Sequence, residues 1–231
     1  MPFPYTGEKS TRLYAKGEAF AMRTEIATAL LNEKVTAIVR GIPADQVCAV
    51  AEALLAGGVR CIEVTFNTPG AAEMIRALKA GYGDKMLVGA GTVLDTETCK
   101  TAIDAGADFI LSPALNTAVI TMCNRYGKVA VPGVMTPTEI LTAMEAGADI
   151  VKVFPAGALG TSYIKDVLGP LNHAAIMAVG GVDAENAAAF FKAGAKCIGV
   201  GSALVSKALI EAGDFAAITA RAKAFCAAAG K

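Results

Sequence analysis

"AGADIVKVFP", residues 146–155, carries both a structural signature and a chemical anomaly. Gly147 ends an alanine-rich helical pattern and is the residue type that closes a helix in a left-handed cap. A short apolar run follows, and Pro155 stops it. In the middle of that run stands Lys152, an ammonium among apolar neighbours. Such a group is paired, turned to water, or neutralised for a purpose, because an unpartnered buried charge is strongly disfavoured.

The same local word recurs along the chain: "AGGV" at 56–59, "AGAD" at 105–108 and "AGAK" at 193–196. Each precedes a β-branched run. Eight such runs are present: "VTAIVR", "RCIEVTF", "MLVGAG", "DFILS", "KVAVP", "DIVKVFP", "AIMAVGG" and "KCIGVGS". Gly57, Gly81, Gly106, Gly127, Gly147, Gly169 and Gly194 stand before seven of them, 20 to 25 residues apart, one βα unit each. Several of the runs lack polar alternation, as expected of parallel strands covered by helices. Eight βα units in 231 residues predict an α/β fold, a (β/α)8 TIM barrel. An open doubly wound sheet is disfavoured because the first run ends in "RGIPADQ" rather than a GxGxxG turn. Residues 18–34, "EAFAMRTEIATALLNEK", predict an extra N-terminal helix closing the bottom of the barrel, and no linker divides the chain. The organisation expected is a lead-in over 1–17 and a single barrel over 18–231.

With 21 basic and 21 acidic residues, the chain offers no electrostatic reason to bind nucleic acid or an anionic membrane surface. The N-terminal stretch has no apolar span of signal or membrane type. Six cysteines without CxxC spacing read as reduced core thiols in a cytoplasmic protein. His173 is the only histidine, which removes the raw material for a histidine metal site or a Ser-His-Asp triad. Met144 and Phe190 read as core, and Lys165, Lys192 and Lys207 as solvated helix charges.

Barrel chemistry sits at the C-terminal ends of the strands. The polar residues expected there are Arg40; Glu63, Thr65 and Asn67; Thr92; Ser112 beside Pro113; Lys152; and the pairs Gly180–Gly181 and Gly201–Ser202. Period-two alternation groups Ile150, Lys152 and Phe154 on one face, and Glu63 with Thr65 and Asn67 on another. Facing the lumen, Lys152 can meet Glu63. A structural ion pair and a catalytic amine are both open readings at this point. The small residues ending the seventh and eighth runs suit either tight turns or a phosphate held by backbone N–H groups, and their occurrence on adjacent strands favours the phosphate.

"CIEVTFNTP", "VGAGTV", "ILSPAL", "VPGVMTPTE", "VKVFPAG", "AVGGV" and "GVGSALV", in this order, resemble the 2-keto-3-deoxy-6-phosphogluconate (KDPG) and 2-keto-4-hydroxyglutarate (KHG) aldolase family over residues 34–208, about three quarters of the chain. The resemblance implies a class I, Schiff-base aldolase that uses no cofactor and no metal and forms a homotrimer. It implies that Lys152 is the Schiff-base lysine, Glu63 the acid/base, and Thr92, Pro113 and Phe154 the lining around the pyruvate moiety. Gly180, Gly181, Gly201 and Ser202 would cradle the phosphate. The better-known gluconate enzymes carry an arginine where this chain has Asn67. Arg40 is the expected replacement as carboxylate partner, an arrangement similar to the 6-phosphogalactonate branch. The expected substrate is therefore KDPG or its galactonate epimer, cleaved to pyruvate and glyceraldehyde 3-phosphate, with 4-hydroxy-2-oxoglutarate as the alternative and, more distantly, another phosphate-binding barrel enzyme or a non-catalytic trimeric barrel.

Overall fold

The computed structural model describes residues 23–231, so the expectations for residues 1–17 and for a helix start at 18 lie outside the described residues. Nine strands form one all-parallel sheet: β1 (Val35–Val39), β2 (Cys61–Thr65), β3 (Leu87–Gly91), β4 (Phe109–Leu111), β5 (Val129–Val131), β6 (Gly133–Val134), β7 (Val151–Val153), β8 (Ile176–Val179) and β9 (Cys197–Val200). Their order is β5-β4-β3-β2-β1-β9-β8-β7-β6. The two ends of this list, β5 and β6, are separated along the chain by Pro132 alone, so the ring closes through the chain itself. The fifth expected strand is thus split. Proline has no N–H to donate, which breaks the ladder at that residue. Its carbonyl still accepts the Lys152 N–H at 2.8 Å, and Val134 O accepts the Phe154 N–H at 3.2 Å. The strand carrying the lysine therefore hangs from the broken one.

The helices α1 (Arg23–Glu33), α2 (Val47–Ala56), α3 (Ala71–Tyr82), α4 (Thr96–Asp104), α5 (Thr117–Arg125), α6 (Pro137–Glu145), α7 (Ala156–Leu168), α8 (Ala187–Lys192), α9 (Lys207–Glu211) and α10 (Phe215–Ala228) account for the rest of the architecture. The starts of α4, α5, α6 and α10 follow from side chains that take up otherwise free backbone N–H groups. Asp95 and Asn116 accept from Thr98 and Ala118, and α6 has a full capping box of Thr136 and Glu139 with Pro137 in the first turn.

Two apolar cores result. The outer one lies between sheet and helices and includes Val151 and Val153. The inner one fills the lumen with Cys61, Leu87, Phe109, Val129, Ile150, Met177 and Cys197, and Ile26, Ala27 and Leu30 of α1 close it from below. Each large apolar side chain α1 buries contributes about 1.5–3 kcal/mol. Arg23 holds the plug in place, its Nε donating to Asp149 Oδ2 at 2.6 Å.

The glycine caps are shifted from expectation at three places. Gly106, Gly127, Gly147 and Gly194 have positive φ, but the left-handed residue after α2 is Gly58 (φ 89°), and neither Gly81 nor Gly169 adopts that conformation. Gly57 is small for a different reason: a Cβ there would lie 2.3 Å from the Ala222 Cβ, so its absence lets α10 pack on α2. Phe190 is buried as expected, Met144 is half-buried against the outer core, and His173 is exposed on the bottom loop. All six cysteines are unpaired by disulfide, and only Cys48 is incompletely buried. No helix among the described residues is long and apolar enough to cross a membrane.

Candidate active site

β7 is only three residues long and wholly buried, and its central residue is the lysine. Lys152 retains 4% exposure. Burial pushes its pKa below the usual 10.5; Glu63 opposes that shift and Arg40 adds to it. On one side Nζ lies 5.0 Å from the centroid of the Phe154 ring, a wall of carbon. Glu63 is 1% exposed on β2, and burial raises its carboxyl pKa above 4.5 against the lowering influence of Lys152 and Arg40. Its Oε2 is buried without a hydrogen-bond partner. None of the ion pairs among the described residues joins Glu63 to Lys152. The two groups thus share one field without being locked to each other, which leaves the amine available as a nucleophile and the carboxyl available to move a proton.

The position of Glu63 is secured by an absence. A Cβ on Gly91 would lie 1.4 Å from Glu63 Oε1, so the carboxylate occupies the space a side chain at 91 would take. β2 and β3 pair with Glu63 opposite Gly89 and Thr65 opposite Gly91, so the Glu63 carboxylate reaches diagonally across the strands to residue 91. Gly89 does the same for the Phe109 ring, 2.2 Å from its missing Cβ. The "VGAGTV" glycines are therefore apertures in the lumen wall.

A cavity of about 510 Å³ opens at the C-terminal ends of β1, β7, β8 and β9, lined by Arg40, Lys152, Phe154, Gly180, Gly181 and, further out, Gly201, Ser202, Asp183 and Lys207. Seven of the sequence candidates meet here. Glu63, Asn67, Thr92 and Pro113 belong to the adjoining arc, β2 to β4, and do not line it. Asn67 is exposed. Thr92 has φ 56°, a costly conformation for a β-branched residue and one that clusters at functional sites. Pro113 presses its backbone on Gly133, whose Cβ would lie 2.3 Å from the proline carbonyl carbon.

Two loops are fixed by hydrogen bonds the sequence does not announce. Thr65 Oγ1 donates to Val39 O at 3.3 Å and pairs with Thr68 Oγ1 at 3.1 Å, which in turn accepts the Gly41 N–H at 2.9 Å. This buried chain ties the segment bearing Arg40 to the end of β2. After β8, Gly180 and Gly181 both have positive φ, and the Gly157 N–H donates to Gly180 O at 2.7 Å. A Cβ on Gly157 would lie 2.8 Å from Gly181 Cα, so the close approach of the β7 and β8 loops at this point requires glycine. Asn186 Nδ2 donates to Gly181 O at 2.9 Å and Asp183 Oδ1 accepts from Glu185 and Asn186 at 2.9 and 2.8 Å, closing the turn. Nothing within 4 Å would meet a Cβ on Gly201, which faces open cavity.

Asp183 and Lys207 were not singled out as site residues by sequence. Asp183 follows the double glycine closely and was accessible to such reasoning. Lys207 is an exposed charge on α9, as its sequence reading expects, and it also stands on the cavity wall, because the turn after β9 returns α9 to the mouth.

The family model for KDPG and KHG aldolase matches residues 26–221. The chain is 40% identical over 169 residues to the 2-dehydro-3-deoxy-6-phosphogalactonate aldolase of Escherichia coli K12, covering 73% of this chain and 82% of that protein. It is also 40% identical over 172 residues to a 2-dehydro-3-deoxy-phosphogluconate aldolase of Treponema pallidum, covering 74% and 81%. Among solved structures, KDPG aldolase from Legionella pneumophila, with pyruvate captured as a covalent carbinolamine intermediate, superposes with a TM-score of 0.79 at 26% identity over 87% of this chain and 97% of that one.

Proposed function

Because the chain belongs to the KDPG and KHG aldolase family, a family of class I aldolases, we propose that its cavity cleaves 2-keto-3-deoxy-6-phosphogluconate or the galactonate epimer to pyruvate and glyceraldehyde 3-phosphate, with Lys152 as the nucleophile. The observation that carries the assignment of residues is a lysine 4% exposed, with its pKa lowered by burial, lining the cavity at the C-terminal ends of the strands.

Lys152 attacks the C2 ketone as the free amine, and loss of water from the carbinolamine gives a protonated imine. As the C3–C4 bond breaks, its electron pair flows to the imine nitrogen, leaving the enamine of pyruvate. Glu63 takes the C4 hydroxyl proton, and the C4 fragment departs as the aldehyde. Protonation of the enamine at C3 and hydrolysis of the imine release pyruvate and restore Lys152. Arg40, with Asn67 and Thr92, fixes the carboxylate; Phe154 and Pro113 enclose the pyruvyl carbons. The backbone of Gly180, Gly181, Gly201 and Ser202 holds the phosphate, so that binding energy remote from the reacting bond orients it. The chemistry assigned to these side chains calls on no cofactor.

Incubation with pyruvate and borohydride should add one reduced pyruvyl group to the chain, located on Lys152 by peptide mass mapping. An adduct on another lysine, or none, overturns the assignment. Comparing kcat/KM for the two phosphorylated epimers and 4-hydroxy-2-oxoglutarate identifies the preferred substrate. A phosphorylated epimer should lead.

The proposal extends to a homotrimer in the cytoplasm. Leu94, after β3, and Met135 and Leu141, after β6 and on α6, remain 55%, 47% and 41% exposed, apolar surface that a neighbouring copy would cover, and six free thiols suit a reducing compartment. Light scattering should give three chains per particle, and Met135→Lys should shift the particle toward single chains. A monomeric wild type removes this part of the proposal.

A further inference from the structure

The mouth of the cavity carries a cation that the assignments so far leave unused. Among the described residues, its cationic lining consists of Arg40, Lys152 and Lys207. In the proposed reaction Lys152 is consumed as the imine nitrogen and Arg40 serves the carboxylate. A phosphate at the β8 and β9 ends arrives with close to two negative charges and finds the Asp183 carboxylate on the same wall. That carboxylate is held in its turn by the N–H groups of Glu185 and Asn186 and stays in place. Backbone N–H groups and the Ser202 hydroxyl supply hydrogen bonds and no formal charge. Lys207 is the remaining positive charge on the lining. Its nearest recorded ion-pair partner, Glu211, is 3.7 Å away, with both side chains largely exposed, a weak tie that a phosphate can outcompete.

We infer that Lys207 is a specificity-determining residue: it swings from Glu211 to the substrate phosphate and sets the preference for a phosphorylated keto acid over an uncharged or singly charged one. This rests on the proposed aldolase reading for its substrate and on the cavity lining for its geometry. A lysine on a flexible stem suits the role, since it places a point charge without demanding one docking angle.

Two measurements test it, one independent of the chemistry. Titration with inorganic phosphate alone, followed by calorimetry, should show binding about tenfold weaker in Lys207→Gln than in wild type, with Lys207→Arg restoring most of the loss. For turnover, Lys207→Gln should raise KM for the phosphorylated substrate about tenfold. It should change kcat for that substrate, and the pyruvate concentration that half-saturates borohydride trapping, by less than about threefold. Glu211→Gln should lower KM for the phosphorylated substrate by releasing the lysine, and the wild-type KM should rise with salt more steeply than that of Lys207→Gln. Equal phosphate affinity in wild type and Lys207→Gln, or an unchanged ratio of kcat/KM for phosphorylated and unphosphorylated substrates, overturns the inference. Failure of wild type to trap pyruvate on Lys152 instead overturns the aldolase assignment, and the phosphate titration still decides the role of Lys207.

Discussion

Lys152→Met abolishes turnover, by a factor of about 10⁴ or more, and yields a protein that melts higher than the wild type. The loss follows because no neighbouring amine can take over: Arg40 carries a guanidinium and not an amine, and Lys207 sits at the mouth. The gain follows from the direction of the pKa shift. In the folded chain the lysine titrates below 10.5, its value when solvated. Between the two values the unfolded chain binds a proton that the folded chain does not, so stability rises with pH across that window. Below the folded pKa the full penalty of the buried charge is present. A thioether of similar length carries no such penalty. The variant's advantage should be greatest at neutral pH and fade as the pH climbs past 10.5, where the wild-type amine is neutral in both states. A gain of about 1 kcal/mol corresponds to roughly 2–4 °C in a chain of this size. Removing the lysine also removes an influence that lowers the Glu63 pKa, so the carboxyl rises further above 4.5 and its charged form is disfavoured more strongly. Measured turnover within tenfold of wild type, or a variant that still adds pyruvate under borohydride, would falsify the role of Lys152.

Glu63→Gln lowers kcat by about 10²–10⁴ yet still traps pyruvate on Lys152, because imine formation asks less of the carboxylate than bond cleavage does. The pH profile separates this from mere damage. Glu63 must be ionised to accept the C4 hydroxyl proton, and burial holds its pKa above 4.5, so cleavage by the wild type rises with pH through that raised value. The glutamine variant loses this limb. Because the Glu63 charge also raises the pKa of Lys152, its removal lets the lysine fall further, and the rising limb of pyruvate trapping moves to lower pH. A trapping limb that stays put or moves upward contradicts the shared field described here.

The sequence makes the barrel legible because each βα unit is a local event: a helix-closing glycine, a β-branched run and a turn lie within about 25 residues, and eight repetitions leave one economical architecture. Lys152 is legible for the same reason, as a charge breaking a local pattern. Contacts set by sheet register are not. Glu63 and Gly91 are 28 positions apart and meet only because β2 and β3 pair with Thr65 opposite Gly91, so the purpose of "VGAGTV" appears only in three dimensions. The Thr65–Thr68–Gly41 chain is hidden likewise, since threonines in a strand and the turn after it read as ordinary β-formers and turn residues. Lys207 is legible as an exposed helix charge but not as a residue of the cavity mouth, because periodicity records which element a residue is on, while the β9 turn decides where that element goes. The split at Pro132 lies between these cases: the proline is visible in "KVAVP", but a closed ring is needed to see it as a break within one strand.

The carboxylate lodged where residue 91 would carry a side chain also constrains how this chain can change by descent. Positions 63 and 91 are epistatic: with glutamate at 63, every residue larger than glycine at 91 must displace Oε1 from a site already closed on other sides. A lineage that shortened the acid at 63 first would free position 91 to vary, whereas the opposite order passes through an intermediate with a displaced acid/base. Libraries that mutate the two positions together can reach sequences that single steps cannot, including acids transplanted to β3.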